Sequence, residues 1–396
     1  MSAPSDHQVQ AAPVSVAGGT PMDAYDYGLP ESAIAQEPVE PRSAARLLVG
    51  PGLGAVPGRG SGHAAVADLP GLLRPGDVVV VNDTRVLAAR LALVKPTGGR
   101  AEVLLVEPLG PPDADGLTVW EALVRPGRRL PPGTLLFEPA GGRAGDRAVA
   151  GPVVEVGTPI DDDPDGAGTR RVRLLDPSVV GRAGSVPLPP YIHRPLGDPE
   201  RYQTVYAQDR DLVDRSVAAP TAGLHFTPDL LAACAAAGAR LARVDLAIGL
   251  DTFRPITADR PEDHVIHTER YSVPDETVTA CATAGRVVAV GTTTVRALES
   301  AAATGVLAGR TDLYIHGDFR FSVVDVLVTN FHLPRSSLLL MVEAFCGPGW
   351  RDLYAAALAD GYRFLSFGDA MVVARAGPKG TPAWDVAPAG TAGTAG

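Results

Sequence analysis

The spacing of apolar residues changes character along this chain, and each change marks an element. Residues 78–81 are four consecutive valines that stop on Asn82-Asp83-Thr84-Arg85. A short unbroken apolar run, preceded by the turn residues 73–77, predicts a strand buried on both faces. Its polar end points to a crevice at the strand's carboxyl terminus. Runs at 241–246, 287–290 and 323–328 read the same way, the last ending in Thr329-Asn330-Phe331-His332-Leu333-Pro334. Between them the period lengthens, and 229–237, 294–304 and 336–345 predict helices. Thr227 is placed as an N-cap with Pro228 at the first helical position, and Gly238 closes that helix. Strands alternating with helices predict a mixed α/β domain whose sheet is covered on its faces.

From about 90 to 188 the pattern is different. Short apolar runs at 101–106, 120–124, 134–137, 153–156 and 171–175 are separated by Gly, Pro and Asp. That spacing predicts a small all-β barrel or sandwich. The expected organisation is therefore a discontinuous α/β main domain (22–89 and 189–376) with an inserted small all-β barrel domain (90–188). Segments 112–116 and 161–166 read as hairpin tips, and 185–192, rich in proline, as a stiff extended exit. Residues 1–21 and the Gly-Thr-Ala-rich stretch from 377 onward read as a disordered leader and tail.

Composition narrows the class. The 396 residues are 45% hydrophobic and 20% charged, as in an ordinary globular protein. No apolar run approaches the roughly 18 residues of a membrane span, and the first residues lack the pattern of a secretory signal. Cys234, Cys281 and Cys346 have no metal-like spacing. A cytoplasmic monomer is expected. Net charge is −10 and the only lysines are Lys95 and Lys379, so any nucleic-acid contact needs a local arginine patch.

The most unusual stretch is 217–226, Val-Ala-Ala-Pro-Thr-Ala-Gly-Leu-His-Phe. Pro220 stiffens it, while Ala222 and Gly223 leave backbone open to a ligand. Thr221 and His225 add a hydroxyl and an imidazole. Read alone, the stretch also fits a simple strand-to-helix connector. Other polar groups at strand ends or in loops are Asn82 to Arg85, Thr252-Phe253, Asp263-His264 with His267 and Glu269, Gly291 to Arg296, and Thr329 to His332. Gly291-Thr292-Thr293-Thr294 follows a strand and opens a helix, a place for an anionic group such as a carboxylate. It is not the Gly-x-x-x-x-Gly-Lys loop of nucleotide-binding proteins. Asp263-His264-x-x-His267 lacks the helical spacing of a zinc site, and no Gly-x-Ser-x-Gly elbow of a serine hydrolase is present.

Eight stretches, in order, resemble the S-adenosylmethionine:tRNA ribosyltransferase-isomerase family of queuosine biosynthesis. They are Asn-Asp-Thr-Arg-Val at 82–86, Pro-Leu-Pro-Pro-Tyr-Ile at 187–192, Arg-Tyr-Gln-Thr-Val-Tyr at 201–206, and the stretch 217–226. Glu-Asp-His at 262–264, Gly-Thr-Thr-Thr-Val-Arg-Ala-Leu-Glu-Ser at 291–300, Val-Thr-Asn-Phe-His-Leu-Pro at 328–334 and Tyr-Arg-Phe-x-Ser-Phe-Gly-Asp-Ala-Met at 362–371 complete the set. The resemblance implies an α/β domain with an inserted β-barrel and a transfer and isomerisation of the ribosyl group of S-adenosylmethionine. The acceptor implied is 7-aminomethyl-7-deazaguanine at the wobble position of tRNA, giving epoxyqueuosine with release of adenine and methionine. S-adenosylmethionine is consumed as a substrate, and no metal or redox cofactor is implied.

That chemistry needs bases. The sulfonium acidifies the C5′ protons, and the aminomethyl group attacks only when neutral. His225, His264, His267 and His332 are candidate bases, with Asp83 or Asp263 orienting them. Arg85 and Arg296 are candidates to hold the methionine carboxylate or a phosphate. Substrate contacts are expected from Asn82, Thr84, Pro220 to Gly223, Thr252, Phe253, Gly291 to Thr294, Thr329, Asn330 and Phe331. The chain departs from the family pattern at Ala247, where a histidine is usual, at Asp251, where a glycine is usual, in the loop 208–215, and at His316-Gly317-Asp318. These departures leave two other readings open: transfer to a free small acceptor, or a silent homologue that binds without turnover.

Overall fold

The computed structural model describes residues 20–56, 62–140, 151–160, 169–249 and 255–384. Its first strands are β1 (Arg46–Val49), β2 (His63–Ala65) and β3 (Val78–Asn82). An antiparallel group follows: β4 (Arg90–Val94), β5 (Arg100–Pro108), β6 (Val119–Arg125), β7 (Thr134–Leu136), β8 (Val154–Pro159) and β9 (Thr169–Leu174). Helix α1 (Val179–Ala183) and β10 (Gly184–Ser185) end that group. Then come α2 (Pro228–Ala236), β11 (Arg240–Leu246), β12 (Glu269–Ser272), α3 (Asp275–Ala282), β13 (Val287–Val290), α4 (Thr292–Thr304) and β14 (Ala308–Thr311). The last elements are β15 (Val326–Asn330), α5 (Ser337–Cys346), α6 (Trp350–Ala359) and β16 (Ala370–Ala374).

The main sheet runs β14-β12-β11-β3-β13-β15-β16-β1-β2. Strands β11, β3, β13 and β15 are parallel neighbours. The valines of β3 explain why it lies at the centre. Val78 and Val80 enter one core with residues of α3, α4, α5 and α6. Val79 and Val81 enter a second core with α2 and the turn Val66–Leu72. A strand covered on both faces has no need of polar alternation. The helix leading into β11 covers one face, whereas those leading into β13 and β15 cover the other. Connections therefore diverge on either side of β3, and a crevice opens at the carboxyl ends of the parallel strands.

The second sheet has seven strands in the order β10-β4-β5-β6-β9-β8-β7, all antiparallel. It carries its own core around Trp120. Val94 and Phe137 exchange two backbone hydrogen bonds of 2.9 and 2.8 Å, so the sheet curls until the β7 side returns to β4. It joins the main sheet where Val86 pairs with Ser216, and Arg310 pairs with Glu107 across the gap at 2.9 Å. The tip at 112–116 is a turn fixed by Asp113, whose carboxylate accepts from the amides of Asp115 and Leu117. The tip at 161–166 lies outside the described residues, as do 1–19 and 385–396.

Two expectations are corrected. The strand expected at 323–328 begins only at Val326, because the buried Glu299 carboxylate takes the amides of Ser322, Val323 and Val324. The tail expected from 377 is docked over its first part. Lys379 pairs with Asp325 at 2.8 Å, the amide of Ala383 donates to Ala302, and Trp384 is buried. Among the described residues no helix is long and apolar enough to cross a membrane.

Candidate active site

An open crevice, about 570 Å³ together with the solvent at its mouth, lies at the carboxyl ends of β13 and β15. Three loops and one helix start build it. The one-turn helix Thr221–His225 places Pro220, Thr221 and Ala222 on one wall. Gly291, Thr292 and Thr293 form another at the start of α4, where Gly291 has φ +90°, a conformation that favours glycine. The amides of this first turn have no intrahelical partner, and the helix dipole favours negative charge there. Thr329, Asn330, Phe331 and His332 supply the floor.

Asn330 ties these parts together. Its Oδ1 accepts from the Thr221 hydroxyl at 3.0 Å, and its Nδ2 donates to the Leu365 carbonyl at 3.1 Å. Leu365 has φ +68°, a strained conformation for a branched residue and of the kind that gathers at functional sites. Beside it, the Ser366 hydroxyl meets the Tyr191 hydroxyl at 2.8 Å. Tyr191, Ile248, Leu333, Ser336, Leu338, Leu365 and Ser366 line the crevice without having been singled out from the sequence. Membership of the stretches 187–192, 328–334 and 362–371 is the signal carried by Tyr191, Leu333, Leu365 and Ser366; the others carry none.

Among the described residues no Asp, Glu, Lys or Arg lines this crevice. Its one imidazole is His332, whose Nε2 lies 2.8 Å from the Thr329 hydroxyl. Burial pushes His332 down to about 3, so the ring is neutral at any ordinary pH. Among the described residues the site is thus a hydroxyl-rich cleft without charged side chains, with a helix start at one end.

Several expected site residues are placed elsewhere, each for a visible reason. His225 is buried behind the crevice wall, its Nε2 2.9 Å from the Gly368 carbonyl and its Nδ1 3.2 Å from that of Ala222. Burial lowers its pKa below the ordinary histidine value. The geometry is that of a clamp between two loops rather than a base facing substrate. Gly223 is not open to a ligand: a Cβ there would lie 2.0 Å from the Tyr206 hydroxyl. Arg296 is buried and fully engaged, bonded to Glu269 and to the carbonyls of Leu313, Thr311 and His267. It ties β12 to β14. Thr294 turns its hydroxyl back to the Val290 carbonyl at 2.7 Å.

Asn82 is a structural bridge. It exchanges bonds with the backbone of Leu246 and reaches Thr293 Oγ1 at 3.2 Å. Thr84 is buried behind it, its amide held by Asn82. Asp83 is buried and bonded to Arg210, a residue of the departing loop 208–215. Arg210 also reaches Asp245 at 3.2 Å. Burial raises the pKa of both carboxylates, and Arg210 opposes it. Arg85 is partly exposed and pairs with Glu200 at 3.2 Å. Asp263 and His267 are exposed, and His264 packs edge-on against Tyr314; none of the three lines the crevice. Among the described residues no three His, Cys, Asp or Glu side chains are grouped to hold a metal ion. Thr252 and Phe253, with Asp251, lie outside the described residues. Ala247 does not line the crevice; its amide donates to the Arg270 carbonyl at 2.9 Å.

Comparison with known proteins matches residues 22–373 to a family described as queuosine biosynthesis protein. An S-adenosylmethionine:tRNA ribosyltransferase-isomerase from Thermus thermophilus is 48% identical over 370 residues, covering 89% of this chain and 99% of that one. One of the same name from Rubrobacter xylanophilus is 46% identical over 353 residues, covering 89% and 97%. A crystal structure of an S-adenosylmethionine tRNA ribosyltransferase from Thermotoga maritima is 33% identical, covering 88% and 99%, with a TM-score of 0.46. The five stretches that line the crevice all fall inside the matched span, and the chain belongs to the queuosine biosynthesis protein family.

Proposed function

We propose that this chain is an S-adenosylmethionine:tRNA ribosyltransferase-isomerase. It moves the ribosyl moiety of S-adenosylmethionine onto 7-aminomethyl-7-deazaguanine at the wobble position of tRNA and isomerises it, giving epoxyqueuosine and releasing adenine and methionine. The observation that carries this reading is the convergence of 187–192, 217–226, 291–300, 328–334 and 362–371 on one hydroxyl-lined crevice.

Each part of the substrate has a fitting surface. The amides of Thr292 and Thr293 suit the methionine carboxylate. The hydroxyls of Thr221, Thr329 and Ser366 suit a ribosyl group. Among the described residues the crevice wall sets no carboxylate beside the sulfonium, so nothing there damps its pull on the C5′ protons. His332 is the imidazole placed to take such a proton: burial keeps the ring neutral while lowering its proton affinity, and its Nε2 lies 2.8 Å from the Thr329 hydroxyl. His225, Arg296 and Asn82 hold the walls in register.

In this reading S-adenosylmethionine is a substrate, no metal or redox cofactor takes part, and the enzyme acts as a cytoplasmic monomer. The curled seven-stranded sheet is the inserted barrel domain, entered and left beside Val86 and Ser216. The position of Ala247, away from the crevice, does not favour a free small acceptor.

The test is incubation with labelled S-adenosylmethionine and tRNA carrying the aminomethyl-deazaguanine. Adenine release with a matching mass gain on tRNA supports the proposal. Release only with a free deazapurine, or binding without release, sinks it. In D2O, His332→Gln should also lose exchange at C5′ that the native chain shows.

A further inference from the structure

A second, smaller hollow, open to solvent, lies beside the crevice. We propose that Arg42 and Arg201 make it a phosphate site, which takes a backbone phosphate of the nucleic-acid acceptor; the assignment of that acceptor rests on the function proposed above.

The two sites share a wall. Ser366 lines both, and Leu224 and His225 belong to the same one-turn helix that Thr221 opens. A nucleotide whose base enters the crevice therefore carries its phosphodiester towards this cavity. Two guanidiniums meet there. The Arg201 side chain is 16% exposed, with Nη2 on the Val39 carbonyl at 3.1 Å and Nε 2.5 Å from Glu40 Oε1. Despite that proximity, the buried Nε makes no hydrogen bond among the described residues. Arg42 donates to the carbonyls of Gln203, Leu224 and Glu200 and pairs with no carboxylate among the described residues.

Holding two like charges together in a half-buried cavity is unfavourable unless an anion joins them. Burial and the neighbouring Arg201 pull the Arg42 pKa below its ordinary value, against Glu40, Asp198 and Glu200, which act in the other direction. The acids nearby lie on the solvent side: Glu40 and Glu200 are 67% and 66% exposed, and Asp198 is exposed as well. Glu40 is the solvent-exposed half of its pair with Arg201, so a phosphate can displace it. Paired guanidiniums present N–H groups in the planar arrangement that phosphate oxygens match. On a chain of net charge −10, the overall field repels a polyanion, and binding depends on such local sites.

The experiment is equilibrium binding of fluorescent modified tRNA to the full chain across a series of KCl concentrations. For Arg201→Gln the slope of log Kd against log[KCl] should fall by about 0.7–0.9, the loss of one phosphate contact. Affinity at low salt should drop about tenfold, with the KM for S-adenosylmethionine unchanged. Glu40→Gln should act in the opposite direction and tighten tRNA binding about two- to threefold. That variant decides the matter if Arg201→Gln does not fold. A native slope in folded Arg201→Gln, or no tightening in Glu40→Gln, overturns the site. If inorganic phosphate at constant ionic strength raises the Tm of the native chain but not of Arg201→Gln, while the tRNA slope is unaltered, the site takes free phosphate and the nucleic-acid assignment falls. The slope is read without turnover. A chain that binds tRNA through Arg201 but transfers nothing refutes the proposed reaction alone, and one that turns over tRNA with an unaltered slope refutes this site alone.

Discussion

Replacing His332 with Gln tests the neutrality of the crevice imidazole. Gln can keep a bond to Thr329, since its amide reaches the position of the imidazole Nε2, but it does not titrate. In the native chain the folded value is about 3 against 6.5 in the unfolded chain. Between those values the unfolded chain binds a proton that the folded chain refuses, so stability falls as pH drops below 6.5. At about pH 5.5 the unfolded imidazole is about nine-tenths protonated and the folded one is neutral. That difference removes about 1.4 kcal/mol relative to about pH 7.5. His225 shifts in the same direction, while Asp83, Asp245 and Glu299 shift in the opposite sense. All of these are common to both proteins and cancel in the difference. Urea unfolding of both proteins across this range is the assay. Parallel stability curves would mean that His332 is not buried as a neutral ring, and the reasoning would fail. Turnover gives an independent reading: loss of a base at this position lowers kcat by at least about a hundredfold.

His225→Ala should destabilise the chain, by about 1–3 kcal/mol for the lost clamp between Ala222 and Gly368, while leaving the pH profile of kcat/KM in place; a displaced profile would restore it as a base. Glu269→Gln should cost about 3–5 kcal/mol in urea unfolding, because it leaves the buried Arg296 charge without its carboxylate. If it instead leaves stability intact and removes S-adenosylmethionine binding in calorimetry, Arg296 contacts substrate. Gly223→Ala should cost about 1–3 kcal/mol by collision with Tyr206, and Tyr206→Phe should partly rescue it; the same loss with and without the phenol would point to a ligand contact. Turnover should survive a chelator, and elemental analysis that finds one tightly held metal per chain would contradict this.

The α/β alternation was legible because both-face burial writes itself into sequence as unbroken valine runs, as at 78–81 and 287–290. Placement of side chains was not. His225 and Thr221 lie in one stretch, yet a one-turn helix points Thr221 into the crevice and His225 away from it. Arg296 and Thr292 share α4, but a helix turn separates a ligand-facing amide from a buried ion pair. Glycine was ambiguous for the same reason: Gly291 serves a backbone angle, whereas Gly223 makes room for Tyr206. Ile248 and Leu338 carried no signal, since an apolar residue at a cleft and one in a core look alike in sequence.

The pairing of β1 with β16 has a consequence for the order in which this protein is made. Leu47 lies beside Ala370 and Val49 beside Val372, in parallel register. During vectorial synthesis the first strand of the main sheet waits for the last, while the seven-stranded sheet has all its strands within residues 90–185 and can close long before release. Contacts so distant in sequence form late and slowly. The crevice wall around Leu365 and Ser366 arrives in the same final segment. A nascent chain stalled before β16 therefore holds a finished antiparallel sheet, an exposed valine-rich one, and no catalytic cleft.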